Sequence, residues 1–150
     1  MEPFVQAARL VLREVSGGGA TAGPLGLLGN TFPTAATNIA AKLEGTLAGD
    51  VVYSMSVATA EQLAGNLAGR EVHGFGRLMG AGLTELGKLL SERTSRLLAE
   101  RGHECEVSAP VVFQGLNVEF TMTEPALAAS IQTNVGQVNV SVAVTDGTKS

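Results

Sequence analysis

The chain has 150 residues, 45% of them apolar and 16% charged, and carries 14 carboxylates against 10 Lys and Arg, for a net charge of −4. That length and apolar content suit one domain with a sizeable core, and an acidic balance without a basic run argues against nucleic acid or an anionic membrane surface as partner. One Cys and two separated His exclude an internal disulfide and any recognisable metal-ligand spacing, and no apolar run reaches the about 18 residues a membrane span needs. The start, MEPFVQAARL, lacks a basic n-region, so a cytoplasmic setting is expected.

The stretch PFVQAARLVLREV opens the fold as a helix. Pro3 suits a first helical turn, and Phe4, Ala8, Val11 and Val15 share one face. SGGG ends this helix, and the Gly- and Pro-punctuated stretch 17–33 reads as a long loop. Its GPLGLLGN lacks the Lys-Ser/Thr of a phosphate-binding loop. Two strands follow, TNIAAKLEG and GDVVYSMS, joined by a hairpin turn at TLAG. ATAEQLAGNLAG reads as a short helix from about Thr59 to Gly69.

After a break at REVHG, the longest periodic segment runs from about Phe75 to Arg101. At about 100° per residue, Met79, Leu83, Leu86, Leu90 and Leu97 fall in one stripe, with Thr94 at its edge. Ala81, Glu85, Lys88, Glu92 and Arg96 fall on the opposite, solvent side. Spacing alone reads Glu85–Lys88, Lys88–Glu92 and Glu92–Arg96 as ordinary surface pairs, each worth about 0.2–0.5 kcal/mol. Gly74, Gly76, Gly80 and Gly82 fit a helix start or close helix packing, since GFGRLMGAG does not have the G-x-G-x-x-G spacing. His103 falls near the C-terminus of this helix, where the dipole favours a cation.

HECEVSAPVVFQG and LNVEFTM read as extended, with Cys105 a plain thiol on a strand. ALAASIQT and QVNVSVAV, joined through NVG, form a hairpin. Val138, Val140, Val142 and Val144 alternate with Gln137, Asn139, Ser141 and Ala143, a period of two that means one covered face and one polar face. Residues 147–150 read as a frayed tail. Strands and helices cluster rather than alternate, which predicts a single α+β domain: an antiparallel sheet with two main helices packed on it.

GDVVYSMSVATAEQLAGNLAGREV, then a long helix carrying ELGKL, then SAPVVFQG, together resemble the CheX branch of the CheC/CheX/FliY family. The resemblance covers nearly the whole chain. It implies a CheC/CheX-like fold, a homodimer formed through the sheet, and a phosphorylated receiver domain of the CheY type as partner. The family pattern is Asp or Ser, three residues, Glu, two residues, Asn, and a Pro some twenty residues on. Glu85 matches its Glu and Pro110 its Pro. Lys88 stands at the Asn position and Ala81 at the Asp/Ser position. The short helix has Glu61 but no Asn three residues on, so it offers no second copy.

The resemblance implies that Glu85 pairs with the receiver's active-site lysine and that the residue at 88 works beside the phosphoryl group. An amide there both donates and accepts, and so can orient the attacking water; an ammonium has three donors and no acceptor. Ala81, Glu85, Lys88 and Glu92 are therefore the expected partner-binding strip, with Glu85 and Lys88 at its reactive centre and hydrolysis weakened or lost. No cofactor of its own is implied, since Mg2+ would belong to the receiver. The alternatives are a receiver-binding module without catalysis and a scaffold like the middle domain of FliM.

Overall fold

A computed structural model describes residues 2–23, 26–33, 36–114 and 119–146. Among them the order is α1 (Glu2–Ser16), β1 (Ala20–Ala22), β2 (Gly26–Pro33), β3 (Thr37–Gly45), β4 (Leu47–Met55), α2 (Val57–Ala68), α3 (Arg77–Glu100), β5 (Cys105–Val107), β6 (Val111–Gln114), β7 (Glu119–Thr133) and β8 (Gly136–Asp146). The strands form one antiparallel sheet in the order β1-β7-β8-β4-β3-β5, with β2 also on β7 and β6 also on β3. The architecture is the expected α+β layer.

Strand register shows which face the helices cover. Ile39 lies opposite Tyr53, Tyr53 opposite Val140, and Val140 opposite Ala129, so one parity of side chains lines one face. That face supplies Ile39, Leu43, Val51, Tyr53, Met55, Val138, Val140, Val142 and Ile131 to the core. Phe4, Ala8, Val11 and Leu12 of α1, Leu63 of α2 and Leu83, Leu86 and Leu90 of α3 complete it.

α2 begins two residues earlier than the periodicity suggested, because Ser56 caps it. The Ser56 hydroxyl accepts from the Thr59 N–H at 3.2 Å. Gly69 closes α2 in the left-handed conformation and donates its N–H to Gly65 O at 2.9 Å.

The stretch 17–33 is not a long loop: it holds β1 and β2, both paired to β7. Its glycines punctuate an edge ribbon, with register shifts on either side of Gly29. For the same reason the segments expected at EFTM and ALAASIQT are one strand, β7. Pro125 falls between Thr121 and Ala126, opposite the second of those shifts, where no regular ladder needs its missing N–H. The expected tail 147–150 and residues 116–118 of LNVEFTM lie outside the described residues.

The other face of the sheet is also less exposed than β8's alternation suggested. Ser141, Ala143, Ser54 and Asn38 are buried along with the valines. Ser54 and Asn38 tolerate this because they bond strand to strand, as the half-buried Ser130 and Asn139 do. Ser54 Oγ donates to Asn38 Oδ1 at 2.7 Å, and Ser130 Oγ donates to Asn139 Oδ1 at 2.8 Å.

On α3 the buried residues are Met79, Gly82, Leu83, Leu86, Gly87, Leu90, Thr94 and Leu98. Leu97, expected in the stripe, is half-buried and Leu98 takes its place. The stripe rotates because α3 changes neighbours along its length. Gly82 meets Ala64 of α2, whereas Ser95 Oγ donates to Cys105 O of β5 at 3.0 Å.

Candidate functional site

Two contacts without side chains set the position of α3. A Cβ at Gly82 would stand 2.6 Å from the Cβ of Ala64, so α2 and α3 meet almost backbone to backbone. A Cβ at Gly87 would stand 2.6 Å from Pro110 Cβ and 3.0 Å from Ile39 Cγ2. Pro110 reaches the helix through a bulge. Leu43 pairs with Val107 and Ala40 with Val111, so three steps along β3 are answered by four along the β5–β6 segment. Lys42 and Ser108 close the gap. The Ser108 N–H donates to Lys42 O at 2.8 Å, and the Lys42 N–H donates to Ser108 Oγ at 2.9 Å. The extra length carries Pro110 onto α3, where a residue without an N–H leaves no donor unpaired.

The outward face of α3 carries Ala81, Glu85, Lys88 and Glu92, all exposed. Among the described residues, Glu85, Lys88 and Glu92 make no ion pair and no side-chain hydrogen bond. The expected ladder of surface pairs is therefore not formed. Exposed pairs of this spacing are too weak to hold long side chains together. The nearby charged group that is held is Arg93, whose Nη2 meets Glu14 Oε1 of α1 at 3.1 Å.

This strip is exposed along the helix. Cavities of about 550, 540 and 450 Å³ open elsewhere, at the C-terminal end of α1, around the end of α2, and over the outer face of β3 at Val111 and Phe113. Glu85 and Lys88 line none of these three. An exposed carboxylate and an exposed ammonium one turn apart on a helix face present opposite charges to whatever docks there.

The other polar groups read from the sequence serve the scaffold. The His103 backbone N–H donates to Leu98 O at 2.9 Å, and its Nδ1 lies 3.4 Å from Thr46 Oγ1. His73 pairs with exposed Glu71 at 3.3 Å. Cys105 is partly buried against the core, with Leu47 O 3.7 Å from its Sγ. Tyr53 lies under α3, and burial pushes its phenol up to about 12, against a smaller lowering by its hydrogen bond with Thr94. Among the described residues no group of three His, Cys, Asp or Glu is arranged to hold a metal ion, and no helix is long and apolar enough to cross a membrane.

Sequence reasoning missed one feature beside the strip. Phe75, two residues before α3, and Leu78, in its first turn, are 37% and 42% exposed. Leu78 precedes Glu85 by seven residues and lies off the core stripe, a phase that the sequence does contain.

No family model and no curated protein matches the chain. Solved structures do. A chemotaxis protein CheX from Desulfovibrio desulfuricans aligns with a TM-score of 0.85 at 18% identity, covering 96% of this chain and 97% of that one. A CheX–CheY complex with BeF3 and Mg2+ from Borrelia burgdorferi aligns at 0.75 and 22% identity, over 95% of this chain and 96% of the matched one. A chain of the FliM–SpeE complex from H. pylori aligns at 0.67 and 7% identity, over 92% and 80%. The fold is the CheC/CheX fold.

Proposed function

We propose that this CheC/CheX-fold chain docks a phosphorylated receiver domain of the CheY type through the strip Ala81, Glu85, Lys88 and Glu92. The observation that carries the reading is the pair Glu85 and Lys88, unpartnered among the described residues on an exposed helix face, with Pro110 braced behind Gly87. A receiver's phosphorylated carboxylate lies in a pocket of its own protein, beside a lysine and a bound Mg2+. Glu85 offers that lysine a charge-assisted contact, and Lys88 offers a cation to the phosphoryl oxygens. The CheX–CheY complex among the structural relatives makes a receiver the natural partner class. A homodimer sharing sheet edges belongs to the same reading, as does a cytoplasmic setting.

Lys88 favours docking over hydrolysis. In-line attack by water on an aspartyl phosphate needs a group that orients the water while the phosphate is held. A charged ammonium donates and cannot accept, so it stabilises the phosphate without holding water by a proton. Loss of one positioned polar group at a reaction centre costs roughly 10²–10³ in rate.

The test follows the decay of a phosphorylated CheY-type receiver with wild type, Lys88→Asn and Glu85→Ala at equal concentration, alongside binding. Wild type should bind and leave the decay slow. Lys88→Asn should bind similarly and speed the decay, and Glu85→Ala should weaken binding. Binding that is indifferent to Glu85→Ala would refute the reading. Absence of any binding would leave a FliM-like scaffold role.

A further inference from the structure

We infer that Phe75 and Leu78 form the apolar anchor of the receiver-docking surface, and that Glu61 holds that anchor in place. The inference rests on the docking reading above and names the part of the surface that supplies its affinity. Charged groups at the rim of an interface steer encounter and set specificity, whereas affinity comes from a few large apolar or aromatic side chains that become buried. The strip from Ala81 to Glu92 has none: its outward residues are Ala, Glu, Lys and Glu. Among the described residues the large apolar side chains left exposed are Phe75, Leu78, Val111 and Leu127. Val111 and Leu127 lie on the sheet. Leu78 lies in the first turn of α3, on the same helix as the strip, and Phe75 precedes that helix by two residues. Leu78, Ala81 and Glu85 follow one helix meridian, and Leu78 is about 10 Å along the axis from Glu85. The partner this fits is a receiver whose surface bears an apolar patch about 10 Å from its phosphorylatable carboxylate.

The anchor is presented on a braced segment. Val72 is 5% exposed and belongs to the core, which fixes the chain three residues before Phe75. Gly74 turns the backbone with a φ of 70°. Its N–H donates to the Glu61 carboxylate of α2 at 2.6 Å, so the residue next to Phe75 is tied to the neighbouring helix. An apolar side chain held in its binding position before encounter loses less freedom on association. Glu61 is thus a positioning residue, acting through Gly74 rather than by touching the partner.

The experiment measures binding to a panel of CheY-type receivers, each charged with BeF3 and Mg2+, by wild type, the double variant Phe75→Ser/Leu78→Ser, Glu61→Ala, Glu61→Gln and Glu85→Ala. Each variant's melting temperature is recorded. The double variant should weaken Kd about tenfold or more with unchanged melting. Glu61→Ala should weaken it about two- to tenfold, while Glu61→Gln, whose amide oxygen still accepts from Gly74, stays near wild type. If Glu85→Ala weakens binding and the double variant does not, the anchor is wrong and the docking reading stands. A double variant whose lost binding follows a lowered melting temperature assigns Phe75 and Leu78 to the fold and overturns the anchor. Equal weakening by Glu61→Ala and Glu61→Gln removes Glu61's positioning role. If wild type binds no receiver, the docking reading and the anchor fall together.

Discussion

Three glycines on one helix offer a test whose sign changes between near neighbours. Gly80, Gly82 and Gly87 all lie inside α3, where Gly→Ala gains about 0.8–1.0 kcal/mol of helix propensity. At Gly80 an added Cβ meets nothing within 4 Å, so that gain stands alone and Gly80→Ala should stabilise. At Gly82 the Cβ would lie 2.6 Å from Ala64 Cβ and 2.8 Å from its Cα. Backbone of a neighbouring helix cannot swing aside, so α2 and α3 must separate. Overpacking of this kind costs typically about 1–3 kcal/mol, which matches or outweighs the propensity gain. Gly82→Ala should therefore destabilise by up to about 2 kcal/mol net. Gly87→Ala meets the Pro110 ring at 2.6 and 2.9 Å, on a bulge rather than a helix, and should fall between the other two. Thermal melting by circular dichroism reads the series, at about 2–4 °C per kcal/mol for a chain of this size. Gly82→Ala melting at or above Gly80→Ala would refute the backbone-to-backbone contact of α2 and α3 and, with it, the placement of the strip.

The remaining predictions use other parts of the structure. Leu86 is fully buried and Glu85 exposed, so Leu86→Ala should cost about 2–5 kcal/mol and Glu85→Ala no more than about 0.5, by denaturant melts. Tyr53 is the sole tyrosine and the chain has no Trp, so ultraviolet absorbance titrates it alone. Its phenol is raised from 10.0 to about 12 by burial, against the opposing hydrogen bond with Thr94. A raised folded value means that its contribution is complete below pH 10 and is lost as pH climbs towards 12; the loss amounts to about 3 kcal/mol. Phenolate formation at pH 10 in the folded protein would contradict the burial, and Tyr53→Phe should flatten this alkaline limb. β6 pairs only with β3 among the described strands, and Val111 on it is 60% exposed. Light scattering should accordingly give a dimer at micromolar concentration, and Val111→Lys should shift it towards monomer; a monomeric wild type would sink the shared-edge assembly.

The sequence was most legible where one neighbour dominates a segment. α1 packs one face inward throughout, and its period of 3.6 named Phe4, Ala8 and Val11 as core. The β8 valines were equally readable by parity. Legibility fell where neighbours change. α3 turns from α2 towards β5, so a fixed stripe chose Leu97 where the structure buries Leu98. It fell again where glycine and proline mark bulges rather than loops, as along β2 and at Pro125. The outward placement of Glu85 and Lys88 followed from phase alone. Their lack of partners did not, because spacing permits a salt bridge without requiring one. Phe75 and Leu78 escaped because REVHG reads as a break, while a backbone N–H donating to a carboxylate thirteen residues earlier ties that break to α2.

The bulge at Ala109–Pro110 fixes the length of the chain at that point. It lies in a short connection, the kind of place where insertions and deletions normally accumulate without harm. Here β5 and β6 both pair with β3, and the extra residue between them shifts the alternation, so that Val107 and Val112, five residues apart, face the same side. With it, Val112 faces Ile39 and the core, while Val111 and Phe113 face outward. A single-residue deletion would let the ladder run regularly from Val107 to Val111, with Val112 still opposite Ile39, but it would remove the extra length that carries Pro110 onto α3 and so the brace behind Gly87. Homologous chains that keep this fold should vary freely in residue type at Ala109 and hardly at all in the number of residues between Val107 and Val111.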